Sequence, residues 1–284
     1  MKWSTTAAVL LAAAPLAAAD LPKPLVTGLK NPESVCLGDD GAIYVTEIGE
    51  FDKAGDGQVS VIRDGKATVF AKGLDDPKGI VAYKKAFYVT DKTRVVKIDA
   101  AGTVTEFLAA DKFPVPPLFL NDIAIEPEQG TLFVSDSGNL KGEQGAVFKI
   151  DVKTGKASVI IDSKTLPGLN TPNGLALDGP SKLLLLDFGS GLLHRVNLAD
   201  HTSEKVAEGF DGGDGLTWNK DGQLFITSWK TGKVFGISSL GEMPVLLSET
   251  LESAADSCLD ATGKFVLVPD MKAGTLTAFP AMIP

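Results

Sequence analysis

The sequence predicts an all-β protein built from six copies of one four-stranded unit. A short apolar run, rich in β-branched and aromatic residues and ending in a polar residue, occurs six times, at residues 43–47, 87–91, 132–136, 183–187, 224–228 and 266–270. The starts of successive runs are 44, 45, 51, 41 and 42 residues apart. Four-stranded sheets repeated at such a period bury their faces by stacking around an axis. We therefore predict a six-bladed β-propeller with four antiparallel strands in each blade.

A second strand signal follows each of these runs, and tight turns separate the strands. The second signals lie at residues 59–62, 95–98, 147–150, 192–196, 234–237 and 276–279. Asp64-Gly65 and Asp221-Gly222 are dipeptides typical of short hairpins. A pair of β-sandwiches is the main alternative, but it does not predict six similar periods. Helical character is limited to residues 247–256, where a turn or two of helix is expected.

The sixth unit lacks a fourth strand of its own, because the repeat stops near Phe279. We expect residues 24–26 to add the missing strand, so that the N-terminal strand closes the last blade and no sheet edge is left exposed. One continuous ring implies a single propeller domain over residues 20–284.

The first 19 residues are predicted to be a signal peptide and not part of the domain. A lysine precedes an apolar core over residues 5–16, and three alanines form a small-residue cleavage site before Asp20. We therefore expect an exported protein, either periplasmic or secreted. A membrane anchor is the alternative, but the apolar stretch is short and Pro15 interrupts it.

Composition limits the classes of partner. The chain has 36 acidic and 27 basic residues, a formal net charge of −9. An acidic surface repels the phosphates of nucleic acids and anionic lipids. No segment beyond the leader is apolar for long enough to cross a bilayer. We therefore expect a small-molecule substrate, no nucleic-acid partner and no membrane span, while the oligomeric state stays open.

The two cysteines occupy equivalent places in the first and last repeats. Cys36 and Cys258 each lie three positions after the same loop position of the repeat. An oxidising compartment permits a disulfide between neighbouring blades. Equivalent side chains point the same way around a ring, however, so one thiol faces the adjacent blade and the other faces away. We expect two buried free thiols.

Four oxygen-bearing side chains recur at that loop position, just before a strand-like run. They are Glu33, Asn121, Asn173 and Asp214. Equivalent positions of a radial repeat converge on its axis, so the four are expected to form one site. Oxygen ligands without His or Cys are typical of Ca²⁺ or Mg²⁺ and not of Zn²⁺. Each residue alone is a common turn former, but four at matching positions indicate a metal site.

Other features define the surroundings of this site. The longest loops between second and third strands, residues 50–57 and 138–145, fall on the same face as the four oxygens, which marks that face as functional. The equivalent position in blade two is Lys78, either a solvated lysine or a group that holds an anionic part of a substrate. His194 and His201 fall in a third strand and in a hairpin on the opposite face, so we expect packing or surface roles for both.

The segments that carry these oxygens resemble a known family. Residues 120–125, 171–178 and 213–218 are similar to the senescence marker protein/gluconolactonase family (regucalcin-like), six-bladed propellers related to diisopropyl fluorophosphatase and paraoxonase. The resemblance covers essentially the whole predicted domain. It implies one divalent cation, usually calcium, held in the central channel by the residues that match Glu33, Asn121, Asn173 and Asp214. It also implies hydrolysis of lactones, or sometimes of phosphoesters, with Asp214 activating water or attacking directly.

Two positions qualify what the resemblance implies. Members that act on sugar lactones typically carry an arginine two residues before the first asparagine, and that position is Phe119 here. This difference implies a less polar substrate or loss of the sugar lactonase activity. Asp122 occupies the place of an aspartate at the second, structural calcium of paraoxonases, or else caps its own strand. The histidine dyad of paraoxonases has no evident counterpart.

Three functions follow from these observations. The leading hypothesis is a divalent-metal-dependent hydrolase of a lactone or related ester. The second is a non-catalytic, calcium-stabilised propeller that binds a protein or small ligand, with Phe119, Phe188 and Trp229 supplying an apolar surface. The third is a hydrolase that resembles phosphotriesterases and uses the same site.

Overall fold

Strands make up nearly all the regular structure of the described residues. The computed structural model describes residues 22–283, so the expected signal peptide at residues 1–19 lies outside the described residues. Within the described range the chain forms 24 β-strands and one short 3-10 helix at Ala110–Lys112. Residues 22–283 include no helix that is long and apolar enough to cross a membrane.

The strands form six separate four-stranded antiparallel sheets, which confirms the predicted propeller. Blade one contains β2 (Pro32–Leu37), β3 (Ile43–Glu47), β4 (Gly57–Arg63) and β5 (Lys66–Leu74). Blade two contains β6 (Pro77–Tyr83), β7 (Ala86–Asp91), β8 (Arg94–Asp99) and β9 (Val104–Leu108). Blade three contains β10 (Leu120–Glu126), β11 (Thr131–Asp136), β12 (Ala146–Asp151) and β13 (Ala157–Asp162).

The remaining blades repeat this order. Blade four contains β14 (Pro172–Leu177), β15 (Lys182–Asp187), β16 (Leu192–Asn197) and β17 (Ser203–Glu208). Blade five contains β18 (Gly213–Trp218), β19 (Leu224–Ser228), β20 (Lys233–Ile237) and β21 (Val245–Ser248). Blade six contains β22 (Cys258–Leu259), β23 (Phe265–Asp270) and β24 (Thr275–Pro280), followed in space by β1 (Pro24–Thr27). The first strands of adjacent blades contact one another around the ring, so they are the innermost strands.

The N-terminal strand closes the ring as predicted. β1 pairs antiparallel with β24, with Val26 opposite Leu276 and Thr27 opposite Thr275. The Val26 side chain is buried in a cluster with Leu267 of blade six and Val45 of blade one. The closing strand therefore joins the two ends of the chain through both hydrogen bonds and apolar contacts.

The hydrophobic core lies between neighbouring blades, as stacked sheets require. One cluster contains Tyr44 of blade one and Phe87 of blade two, whose rings lie 4.3 Å apart. Cys36 belongs to this cluster, whereas Cys258 packs against the cluster between blades six and one. Both cysteines are free. Cys36 is buried but Cys258 is only half-buried, so the expectation of two buried thiols holds for Cys36 alone. The two thiols face successive blade interfaces in the same sense around the ring, as expected.

The expected helix at residues 247–256 is wrong. Blade five needs a fourth strand, and β21 supplies it by pairing Ser248 with Val234 and Leu246 with Phe235 of β20. The segment after β21 is irregular, and the carboxylate of Asp270 accepts backbone N–H groups from it. Sheet pairing therefore overrides a weak local helical preference.

Candidate functional site

The predicted site residues share one structural position. Glu33, Asn121, Asn173 and Asp214 are each the second residue of an innermost strand, as Lys78 is in blade two. The pairing of every one of these five strands with its neighbour shifts register immediately around that residue. A bulge turns a side chain out of the regular alternation of a strand. The bulge recurs in five blades, which explains how the side chain at this position reaches the central channel in each of them.

Close approach of neighbouring blades fixes the backbone next to these residues. Gly174 follows Asn173, and a Cβ atom added there would collide with the backbone oxygen of Asp214 in the next blade. A Cβ atom added at Gly79 would likewise collide with backbone atoms of blade three. Only glycine fits such an approach. The innermost strands thus meet backbone to backbone at the axis, which brings the site residues of adjacent blades together.

Buried carboxylates at the ends of the second strands hold the loops that lead into the channel. In blade three, the carboxylate of Asp136 accepts N–H groups from Leu118 at 2.9 Å and Phe119 at 2.8 Å, just before Asn121. Equivalent carboxylates do the same in four other blades, namely Glu47, Asp91, Asp187 and Asp270. Blade five uses the Ser228 hydroxyl, which donates to the backbone oxygen of Asp211 at 2.6 Å. In blades one to five, the polar residue that ends the apolar run therefore positions a channel residue.

The four channel residues share an unusual electrostatic feature: each has an oxygen without a partner. In residues 22–283, five buried side-chain oxygens lack a hydrogen-bond donor. Four of them are Glu33 Oε2, Asn121 Oδ1, Asn173 Oδ1 and Asp214 Oδ1, and the fifth is Asp56 Oδ1. Leaving a buried acceptor unpaired costs about 1–3 kcal/mol. Four such oxygens converging on one channel indicate a missing positive partner.

Hydrogen bonds orient one of these oxygens toward the channel. The amide nitrogen of Asn121 donates to Ser137 Oγ at 3.1 Å, and that hydroxyl donates to the backbone oxygen of Pro172 at 2.8 Å. With its nitrogen engaged in this way, Asn121 directs Oδ1 to the site. Ser137 was not predicted, because it follows a strand end and belongs to no repeated polar pattern.

The surrounding charges disfavour ionised carboxylates. Burial raises the pKa of Glu33 well above its usual value, and the carboxylates of Asp214 and Asp256 raise it further, while Lys78 opposes the shift. Burial and Asp256 likewise raise the pKa of Asp214. Burial raises the pKa of Asp256 to about 6. A bound cation would relieve these unfavourable interactions.

The donor set fits a hard divalent cation. In the described part of the chain, no group of three or more His, Cys, Asp and Glu side chains is placed to hold a metal ion. The channel set instead combines two carboxylates with two amide oxygens, ligands that suit Ca²⁺ or Mg²⁺. Two carboxylates also balance the charge of a divalent ion.

A pocket of about 600 Å³ opens above these oxygens. Its wall is largely apolar, with Asp52, Ser137, Asn170 and Thr171 as further polar lining; the apolar residues are Ile48, Phe51, Phe119, Leu140, Phe188, Trp229 and Met271. Phe51 and Leu140 come from the two long loops at residues 50–57 and 138–145, which supports the assignment of this face as functional. The volume and apolar lining are those of a small-molecule site with a few convergent polar groups.

Lys78 lies inside this pocket. Lys78 is only 3 % exposed, and its Nζ atom lies 4.1 Å from the centre of the Phe119 ring. Of its two alternative interpretations, the solvated lysine is therefore wrong. Burial lowers the pKa of Lys78, while Glu33, Asp76 and Asp91 oppose that shift.

Three other residues that the sequence analysis considered, His194, His201 and Asp122, do not line the pocket. His194 is half-buried in β16, and His201 lies in the hairpin that follows, with a positive φ of 60°. The carboxylate of Asp122 accepts the N–H groups of Ile123 and of Leu175, each at 2.6 Å. Both oxygens of Asp122 are thus engaged by backbone, which supports the capping interpretation of this residue.

Removing one loop-holding carboxylate should destabilise the propeller. We expect Asp136→Asn to lower the free energy of unfolding by about 2 kcal/mol or more, because an amide nitrogen would face buried N–H donors. Asp151→Asn is the matched control, since Asp151 caps an exposed hairpin of the same blade through Thr154. Urea denaturation should give a clearly smaller loss for the control. Equal losses would show that Asp136 does not hold the channel loop.

Comparison with known families agrees with this geometry. Residues 43–248, more than half of the chain, match the family described as the SMP-30/Gluconolactonase/LRE-like region. The match includes Asn121, Asn173 and Asp214 but begins after Glu33. A comparison with curated proteins gives no match. Members of the matched family generally bind a divalent metal. The chain belongs to the SMP-30/gluconolactonase/LRE-like family.

Proposed function

We propose that the protein is an exported, divalent-metal-dependent hydrolase of lactones or related esters. The observation that carries the proposal is the set of four unpaired, buried oxygens at the floor of an apolar pocket. Membership of the family supports a lactonase-like hydrolase. The predicted leader at residues 1–19 supports export to the periplasm or the exterior.

Glu33, Asn121, Asn173 and Asp214 would hold the cation, and calcium is the ion that their chemistry favours. Calcium takes six to eight oxygen ligands in flexible geometry, so four protein oxygens leave room for water and substrate. When bound, such an ion supplies positive charge that polarises a carbonyl oxygen. The pocket above the four oxygens gives a substrate access to this charge.

Asp214 is the residue we assign to the chemical step. Its carboxylate would accept a proton from the attacking water, or would itself attack the carbonyl carbon. Overall, water adds a hydroxyl group to that carbon and a proton to the ring oxygen that leaves. A carboxylate beside a cation is a weak base, so its contribution would come mainly from placement. The bulge and the adjacent glycines of the innermost strands provide that placement.

The pocket wall favours an apolar substrate. Phe119 stands where the resemblance implies an arginine that binds sugar hydroxyls, and Phe188 and Trp229 extend the apolar surface, with ring centres 6.3 Å apart. Aromatic side chains of this kind bury apolar rings and leave hydroxyl groups without partners. We therefore propose lactones or esters with apolar rings in preference to sugar lactones.

The hydrolase proposal is tested by removing the two carboxylates. We expect Asp214→Asn to lower kcat/KM by roughly 100-fold or more on any aryl or alkyl lactone that the protein hydrolyses. Glu33→Gln should need a higher calcium concentration for half-maximal activity, because one of two charged ligands is lost. A chelator should abolish wild-type turnover. Asp211→Asn, which removes an exposed carboxylate of the same segment, should behave like the wild type.

Other outcomes distinguish the competing functions. Undiminished turnover in the Asp214→Asn variant would contradict the hydrolase proposal. Calcium binding without hydrolysis of any lactone or ester would favour the non-catalytic binding propeller. Turnover of phosphotriesters alone would favour the third hypothesis, because the same oxygens can serve a phosphoryl substrate.

The raised pKa values of the channel carboxylates predict how calcium stabilisation depends on pH. Between the unfolded-state and folded-state pKa of Glu33 and Asp214, the folded chain binds more protons, so stability without calcium falls as pH rises. Calcium requires the deprotonated groups and removes this penalty. At one fixed calcium concentration, set to 100 times the Kd at pH 8, we expect calcium to raise Tm by roughly 5–10 °C at pH 8 and by clearly less at pH 5, where the Kd is higher.

Differential scanning fluorimetry with calcium or chelator measures this effect. The Asp211→Asn control should keep the pH-dependent shift, and Asp214→Asn should lose most of it. A calcium shift of the same size at both pH values would contradict the assignment of these carboxylates as ligands.

A further inference from the structure

Lys78 presents a buried ammonium group to the pocket. It is the second residue of β6, the position that in blades one, three, four and five carries an unpaired oxygen. The residue is 3 % exposed and lines the same cavity as Glu33 and Asp214. The repeat thus places one positively charged side chain, that of Lys78, in a ring with four oxygen-bearing side chains.

The protein leaves most of the hydrogen-bonding capacity of this ammonium group unused. An ammonium has three donors, and within residues 22–283 Nζ of Lys78 has one acceptor, the backbone oxygen of Asp76 at 3.3 Å. No carboxylate of the described chain lies within 4.0 Å of it. A buried charge without a partner is costly, so a ligand with an acceptor is indicated.

Three carboxylates act on Lys78: Glu33, which the proposed function assigns to the cation, and Asp76 and Asp91, which are engaged elsewhere. The carboxylate of Asp76 accepts the N–H of Asp52 at 2.9 Å and lies 3.5 Å from Nζ of Lys92. The carboxylate of Asp91 binds backbone N–H groups and the guanidinium of Arg94. Neither carboxylate is free to turn toward Lys78. Its charge is therefore available to a molecule in the pocket.

An aromatic ring fixes where that charge points. Nζ of Lys78 lies 4.1 Å from the centre of the Phe119 ring, a cation–π distance. This contact restrains a flexible side chain that lines the cavity. The same ring forms part of the apolar wall. A ligand that lies along Phe119 would meet an apolar surface and a positive charge side by side.

We propose that Lys78 binds a carboxylate group of an otherwise apolar lactone or ester. The inference rests on the proposed function, in which a divalent cation neutralises Glu33 and Asp214 and leaves the ammonium as uncompensated charge. A carboxylate satisfies two ammonium donors with charge-assisted hydrogen bonds, the strong kind in a desolvated pocket. A cavity of about 600 Å³ accommodates a ring with such a substituent. Lys78 is thus assigned as a specificity-determining residue.

Ligand pairs that differ only in charge test this assignment. Calorimetric titration of the calcium-loaded protein would use 3-phenylpropionate and its uncharged amide. We expect Lys78→Met to weaken 3-phenylpropionate binding about 10- to 100-fold, the loss of a hydrogen bond to a charged group. The amide should bind equally to the wild type and to this variant. Lys78→Arg, which keeps the charge, should retain the preference for the carboxylate.

Lys84→Met is the matched control, because Lys84 is an exposed lysine of the same blade that lies 4.7 Å from the Tyr83 ring. It should bind both probes like the wild type. Unchanged 3-phenylpropionate binding by Lys78→Met would overturn the proposal and place the carboxylate on the cation. Equal losses for acid and amide would also overturn it, since Lys78 would then only shape the pocket.

The binding test is independent of turnover. A protein that hydrolyses no lactone but loses carboxylate affinity on Lys78→Met would contradict the proposed hydrolase and support the anion subsite. Hydrolysis together with unchanged carboxylate affinity would support the hydrolase and overturn the subsite.

Discussion

The hydrogen bonds between buried strand-end carboxylates and the loops that enter the channel are the interaction on which this structure depends. In five blades a carboxylate at the end of the second strand accepts backbone N–H groups two or three residues before the channel position. That contact sets where the innermost strand starts. In blades one to four, a bulge at the next residues then turns the side chain to the axis. The same arrangement recurs in successive blades, so the site receives side chains from several of them.

This construction creates an electrostatic problem that binding a ligand resolves. Four blades direct an unpaired oxygen to the axis, and burial with mutual repulsion raises the pKa of Glu33 and Asp214. The fold tolerates these interactions because the blade interfaces around them are well packed. A site that is costly without its ligand is typical of function and not of stability. Lys78 brings the opposite charge into the same space, and on these two features we base the proposal of a ligand with an electrophilic centre, an apolar body and an anionic end.

Much of the fold and the main site residues could be predicted because the repeat aligns them. Six strand-like runs fixed the blade number, and the shared position identified Glu33, Asn121, Asn173 and Asp214. The burial of Lys78 could not be predicted, because a single lysine at the repeat position gives no local sign of its environment. Ser137 was missed for the same reason, since its role depends on Pro172 in another blade. The incorrect helix at residues 247–256 shows that the need for a fourth strand outweighs local preference.

A crystal structure of the protein with calcium, located by its anomalous scattering, is the most direct test of the central claim. The account predicts one ion in the channel, at about 2.3–2.6 Å from oxygens of Glu33, Asn121, Asn173 and Asp214. It also predicts that each of these atoms is an oxygen unpaired in the present structure. An ion bound elsewhere, or a channel in which the four oxygens hold only water at saturating calcium, would contradict it.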